Sequence, residues 1–164
     1  MIALIRHPPL QIAQGICYGR SDIAIADPAS IPPIAAQVRA MRATVWTSPL
    51  RRCRIVADAI GPNRIDPSLI EMDFGTWDGL PWDAIPRPAL DAWAADPLAF
   101  APPGGETGAA LIARVTAFRE ALPPGDHVIV SHGGPLKVLD ALLRGHPVDL
   151  MAPSLPLASA TFIE

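Results

Sequence analysis

Apolar runs that break off at basic or imidazole side chains set the pattern of this chain. Ile2-Ala3-Leu4-Ile5 runs into Arg6-His7, and Pro8-Pro9 then prevent the run from continuing as a central strand or entering a helix. Val128-Ile129-Val130 leads through Ser131 to His132, Gly133 and Gly134, and Thr44-Val45-Trp46-Thr47 hands over to Ser48-Pro49-Leu50-Arg51-Arg52. Each reads as a short strand delivering side chains to the end of a sheet. In an open parallel sheet, ligand-binding groups gather beyond the carboxyl ends of the strands. If the three are parallel neighbours, Arg6, His7, Arg52 and His132 meet at one edge.

Between these runs the apolar spacing changes to that of helices. Ile31, Ile34, Val38 and Met41 mark one; Leu50, Cys53, Val56, Ala57 and Ile60 mark a second, with Ser48 as cap, Pro49 at the first helical position and Gly61-Pro62 as the stop. Leu111, Val115, Phe118 and Leu122 predict a third before Pro123-Pro124-Gly125, and Leu136, Leu139 and Leu143 a fourth closed by Gly145. Arg64–Asp66 suits a short edge strand and Leu157–Ile163 a last strand. Residues 81–103 predict one or two short helices over the pocket, where Trp82, Trp93 and Phe100 suit either core packing or an apolar wall for a substrate. Residues 8–27 form a long connection, and such a length in a compact domain is usually functional. Alternating strands and amphipathic helices predict an α/β sandwich.

Composition narrows the function classes. The 164 residues form one domain, 1–164, half of it hydrophobic and 18% charged, as expected of a globular chain with a sizeable core. A formal charge of -3 argues against a nucleic-acid surface. No apolar run approaches the roughly 20 residues of a membrane span, and no secretory leader precedes the first run. Cys17 and Cys53 form no CxxC-type pattern, which favours a reduced, cytoplasmic protein with Cys53 as a small buried hydrophobe. Most of the 20 prolines fall in connections and stiffen them.

The candidate chemistry is anion binding, because guanidinium groups hold phosphate bidentately and imidazoles add donors. On the second helix Arg51 lies opposite the apolar face, while Arg52 and Arg54 flank it; spacing does not choose between that pair. The four histidines lack metal-ligand spacing, and a cationic pocket repels divalent ions, so neither metal nor cofactor is expected.

Four blocks in order, Arg6-His7, Ser48-Pro49-Leu50-Arg51-Arg52-Cys53, Leu69-Ile70-Glu71-Met72-Asp73-Phe74-Gly75-Thr76-Trp77-Asp78-Gly79 and Ser131-His132-Gly133-Gly134, span nearly the whole chain. They resemble the histidine phosphatase superfamily, the phosphoglycerate mutase-like proteins. The Glu71 block and Pro102-Pro103-Gly104-Gly105-Glu106-Thr107 look most like the alpha-ribazole phosphatase branch. The resemblance implies a three-layer α/β/α sandwich with a mostly parallel central sheet. It also implies a metal-independent phosphomonoesterase working through a phosphohistidine intermediate on a small-molecule phosphate ester, with alpha-ribazole phosphate the best candidate. The motif selects Arg52 over Arg54. The implied catalytic set is His7 as nucleophile, Glu71 as proton donor, and Arg6, Arg52 and His132 as phosphate-binding groups. Their positive charge should keep His7 neutral, and the phosphate anion should raise the pKa of Glu71. Asp73, Asp78 and Glu106 are weaker candidates for the acid, and His127 and His146 read as structural or solvated.

The pattern departs from the family where Pro8-Pro9 replaces the usual Gly-Glu and Ala13 stands near the place of an asparagine. Neither proline can donate an N–H, so loop amides for phosphate are sought around Tyr18-Gly19. Tyr18, Gly19, Arg20 and Gly133 are the candidate substrate contacts. The competing readings are a phosphohistidine or phosphoprotein phosphatase, a phosphoglycerate mutase, and a catalytically silent phosphoester-binding module.

Overall fold

A computed structural model describes residues 1–164. Ten regular elements follow in order: β1 (Ile2–Arg6), α1 (Ile31–Val38), β2 (Thr44–Thr47), α2 (Arg51–Ile60), β3 (Asn63–Ile65), α3 (Arg87–Ala95), α4 (Gly108–Glu120), β4 (His127–Ser131), α5 (Gly133–Arg144) and β5 (Ser159–Ile163). The sheet has five strands in the order β3-β2-β4-β1-β5. β1, β2 and β3 run parallel to their neighbours through β4, and only β5 is antiparallel.

Side-chain alternation along the strands divides the core into two layers. Ala3, Ile5, Val128 and Val130 face Ile34 and Val38 of α1 and Cys53, Val56 and Ala57 of α2. Leu4 and Ile129 face the other way, onto Leu111, Val115 and Phe118 of α4 and Leu136 and Leu139 of α5. Helices on both faces of a mostly parallel sheet make the three-layer α/β/α sandwich expected from the sequence. No helix is long and apolar enough to cross a membrane.

Register then sets the site. Arg6 pairs with Ser131 and Thr47 with Val130. The ladder extends one residue past both outer strands, since His7 N donates to Ser131 O and Ser48 N to Val130 O. β4 lies between β1 and β2, so His7, Ser48 and His132 arrive at the same edge.

Helix boundaries depart from the spacing in places. α2 begins at Arg51 with Leu50 in the capping position and no side-chain cap, so the Ser48-Pro49 start is corrected by two residues. The Ser48 hydroxyl accepts from Leu50 N, and its other partner is His132, which holds it at the sheet edge. α1 stops at Val38, and Met41 packs on the core from the following turn. The connection after β1 closes on itself, with Gln11 N donating to Ala24 O and Ala26 N to Pro9 O. Residues 81–103 hold a single turn at Trp82–Ala84 followed by α3.

Candidate active site

His7 ends β1 with 1% of its surface exposed. Its Nδ1 lies 2.7 Å from Pro8 O. A carbonyl only accepts, so Nδ1 carries the hydrogen and Nε2 holds a free lone pair. Proline lacks the N–H, yet here it is the carbonyl that is used. Burial lowers the His7 pKa to about 3, helped by the charges of Arg52 and Arg6 and opposed by the Pro8 hydrogen bond. Those charges were the expected cause; desolvation is the larger one.

His132 stands at the end of β4 and caps α5. Arg52 Nε donates to its Nδ1 at 3.2 Å, so its hydrogen sits on Nε2, which donates to Ser48 Oγ at 2.7 Å. Burial first, then Arg52, hold its pKa well below the ordinary histidine value. The expectation of a positively charged His132 is corrected: in this state it is neutral and both ring nitrogens are occupied. Arg52, 1% exposed, donates Nη1 to Ser21 O and Nη2 to Gly19 O, each at 2.6 Å. Arg51 and Arg54 are exposed. The His7 and His132 rings meet edge to face at 5.2 Å.

Arg6 donates Nη1 to Leu155 O, while its buried Nε has no partner. Glu71 is 9% exposed; its Oε1 accepts from Met72 N at 2.8 Å and Gly134 N at 3.2 Å. Its pKa is raised, because burial outweighs the two amides and the pull of Arg52 and Arg6, none of which forms an ion pair with it. A phosphate anion was the expected cause; burial alone acts in that direction. Gly134 N is shared with Oε2 at 3.4 Å, so Oε1 carries the shorter amide contacts.

A ring of charge behind the site fixes Glu71 by its backbone. Arg20 Nε and Arg114 Nη2 both donate to Glu71 O. Arg114 is paired to Glu106 at 2.7 Å, and Arg20 to Asp73 at 3.1 Å and Glu106 at 3.4 Å. Arg20 therefore turns away from the cavity, and Asp73 and Glu106 are engaged as structural carboxylates. Asp78 accepts from Gly19 N, Arg20 N and Ser21 N. That corrects the expectation that amides around Tyr18-Gly19 point at phosphate. Gly19 is required for space, since a Cβ there would lie 2.2 Å from Met72 O.

Above this floor opens a cavity of about 290 Å³, lined by Arg6, Glu71, Gly133, Gly134, Lys137 and Ser154 on its polar side. Tyr18, Met72, Phe74, Trp82, Trp93 and Leu150 are among its other walls. Trp82 and Trp93 stack at 6.0 Å, so part of the aromatic cluster faces the cavity while Trp77 is buried beneath it. His7, Arg52 and His132 are buried and are not among the residues lining the cavity; Arg6 and Gly133, their chain neighbours, are. Sequence reasoning missed Lys137, Ser154 and Arg114; none lies in a motif, and only the folded chain brings them near Glu71. His127 is buried at the start of β4, bonded to Trp46 and Pro123, and His146 is exposed. No three His, Cys, Asp or Glu side chains converge as a metal-holding group.

The family model for the histidine phosphatase superfamily (branch 1) matches residues 2–164. No match was found among curated proteins. Among solved structures, the alpha-ribazole phosphatase from Shigella flexneri superposes with a TM-score of 0.84 at 26% identity, covering 97% of this chain and 87% of that one. A phosphoglycerate mutase from Thermus thermophilus gives 0.79 at 27% identity, covering 97% and 90%. The mycobacterial glucosyl-3-phosphoglycerate phosphatase, at 24% identity, shares the fold with a TM-score of 0.82 over 97% and 87%. The chain is a phosphatase of the histidine phosphatase superfamily.

Proposed function

We propose that the chain hydrolyses a small-molecule phosphate monoester through a phosphohistidine at His7, without a metal ion. One observation carries this reading: a neutral imidazole, its tautomer set by Pro8 O so that Nε2 is free, feels the charges of Arg52 and Arg6, and the cavity lined by Arg6 is also lined by a buried carboxyl group, Glu71, whose pKa is raised. His7 Nε2 attacks phosphorus, the ester P–O bond breaks, and a proton from the Glu71 carboxyl group passes to the departing alkoxide. The Glu71 carboxylate then takes a proton from water as that water attacks phosphorus. The N–P bond breaks, and inorganic phosphate leaves with His7 and Glu71 restored. Arg6 lines the cavity and supplies guanidinium charge there, and the buried Arg52 adds a second positive charge beside His7.

Alpha-ribazole phosphate is the candidate substrate. The stacked Trp82–Trp93 wall suits a flat ring system, and a structural neighbour is an alpha-ribazole phosphatase. The test is hydrolysis of p-nitrophenyl phosphate and alpha-ribazole phosphate in EDTA, with phosphate labelling of the protein. Wild type should turn over both, and His7→Ala should lose turnover and labelling while keeping its circular dichroism spectrum. Activity lost to EDTA and restored by zinc or magnesium would overturn the mechanism, as would turnover by His7→Ala.

A further inference from the structure

The cavity wall above Glu71 is built by α5. A Cβ on Gly133 would lie 3.2 Å from Arg6 Nη2, and one on Gly134 would lie 2.6 Å from Glu71 Oε1, so the first turn presses against both groups. Lys137 follows one helical turn later, about 5.4 Å along the axis, on the same face. Its Nζ donates to Leu150 O at 2.7 Å, which leaves its remaining hydrogens for a ligand. Every ion pair of the chain involves other residues, so no carboxylate lies within 4.0 Å of this ammonium. Burial lowers its pKa, while the more distant Asp149 and Glu71 act the other way. A partly desolvated cation with no counter-ion in contact gains from an acceptor brought by a ligand.

We propose that Lys137 is a specificity-determining residue: its ammonium donates to an oxygen of the leaving alcohol lying about one helical turn from the ester oxygen, while the Trp82–Trp93 wall receives the apolar part. The inference rests on the phosphatase reading above and names what that site selects. The oxygen can be a hydroxyl or ether of a sugar-like alcohol or the carboxylate of a hydroxy acid. Either explains a second cation on the cavity's polar side, one turn of α5 beyond the glycines that touch Arg6 and Glu71. Glu71 acts on the ester oxygen itself, so the two residues read different atoms of one leaving group.

Steady-state kinetics of the full chain with phenyl phosphate, alpha-ribazole phosphate and phosphoglycerate test this in wild type, Lys137→Met and Lys137→Gln. In wild type at least one of the two oxygen-rich esters should exceed phenyl phosphate in kcat/KM. Lys137→Met should lower that advantage about ten-fold or more, mostly through KM, while phenyl phosphate loses far less. Loss on alpha-ribazole phosphate identifies a hydroxyl or ether, and loss on phosphoglycerate a carboxylate. Lys137→Gln keeps a donor for Leu150 O without the charge, and it should lose specificity even with an unchanged thermal midpoint. Equal loss on all three esters, an advantage untouched in both variants, or no advantage in wild type would overturn the proposal. The phosphatase reading fails separately, if wild type hydrolyses none of the esters or His7→Ala matches it.

Discussion

Two side chains of the site divide the chemistry by their protonation. His7 is neutral because it is buried, and its one hydrogen is committed to Pro8 O; the pKa of Glu71 is raised because it is buried without an ion pair. Glu71→Gln isolates the second effect. An alkyl phosphate expels a basic alkoxide and needs the proton, whereas p-nitrophenolate departs without it. Single-turnover phosphorylation of His7 should therefore slow by roughly 100- to 10,000-fold with the alkyl ester and much less with the aryl ester, and phosphohistidine should accumulate. Equal loss on both would assign Glu71 to positioning. Ser48 gives a stability test of the same kind. Ser48→Ala would leave the Nε2 hydrogen of buried His132 with only the weak Cys53 sulfur acceptor at 3.5 Å, at a cost of about 1 kcal/mol or more, measurable by denaturant unfolding. Arg6, His7 and His132 were legible in the sequence because an apolar run followed by a polar break marks a strand end, whereas Arg52 and Glu71 were singled out only by the family resemblance. Ser48 was read as a helix cap because spacing along one chain cannot show that an imidazole from β4 shares its hydroxyl.

At the scale of elements, the site depends on how closely α5 approaches the Glu71 segment. Gly134 makes that approach possible and offers Glu71 its amide. Gly134→Ala should displace the carboxyl group and cut alkyl-ester turnover by about 100-fold, the general-acid share, while leaving His7 phosphorylation by the aryl ester much closer to wild type. Comparable loss with both esters would mean that the whole first turn of α5 had moved. The strand-to-helix pattern was legible for β1, β2, β4 and the faces of α2, α4 and α5, because apolar periodicity records which side is buried. The ring formed by Arg20, Asp73, Glu106 and Arg114 was not. Its members are scattered over polar segments, and their pairing exists only once α4 lies beside the Glu71 block. Arg20 shows the cost of reasoning from its neighbourhood in sequence: it lies beside Gly19, yet it serves the back of the site.

The whole molecule carries the electrostatic cost of this arrangement. The folded-state pKa of His7 lies at about 3 against an ordinary 6.5, and His132 is shifted the same way, so the unfolded chain binds more protons between those limits. Their contribution to stability is present above pH 6.5 and is lost as pH falls toward 3. Glu71 has the opposite sign: its raised pKa favours the native state below the ordinary 4.5, and that contribution fades as pH rises. His7→Asn should therefore show a shallower fall in thermal midpoint between pH 6.5 and 4.5 than wild type, and identical slopes would remove the burial argument. The layered architecture was legible from the alternation of elements. The strand order was not, because periodicity says which face is buried and nothing about which strand lies beside which. That order bears on how the protein is made. β1 leaves the ribosome before the other four strands of its sheet, yet its partners β4 and β5 are the last of them. At about 5–20 residues per second of synthesis, it waits on the order of ten seconds with its hydrogen bonds unmade. His7 therefore travels on an apolar segment that a holdase could grip, and slow translation of the later half lengthens that exposure.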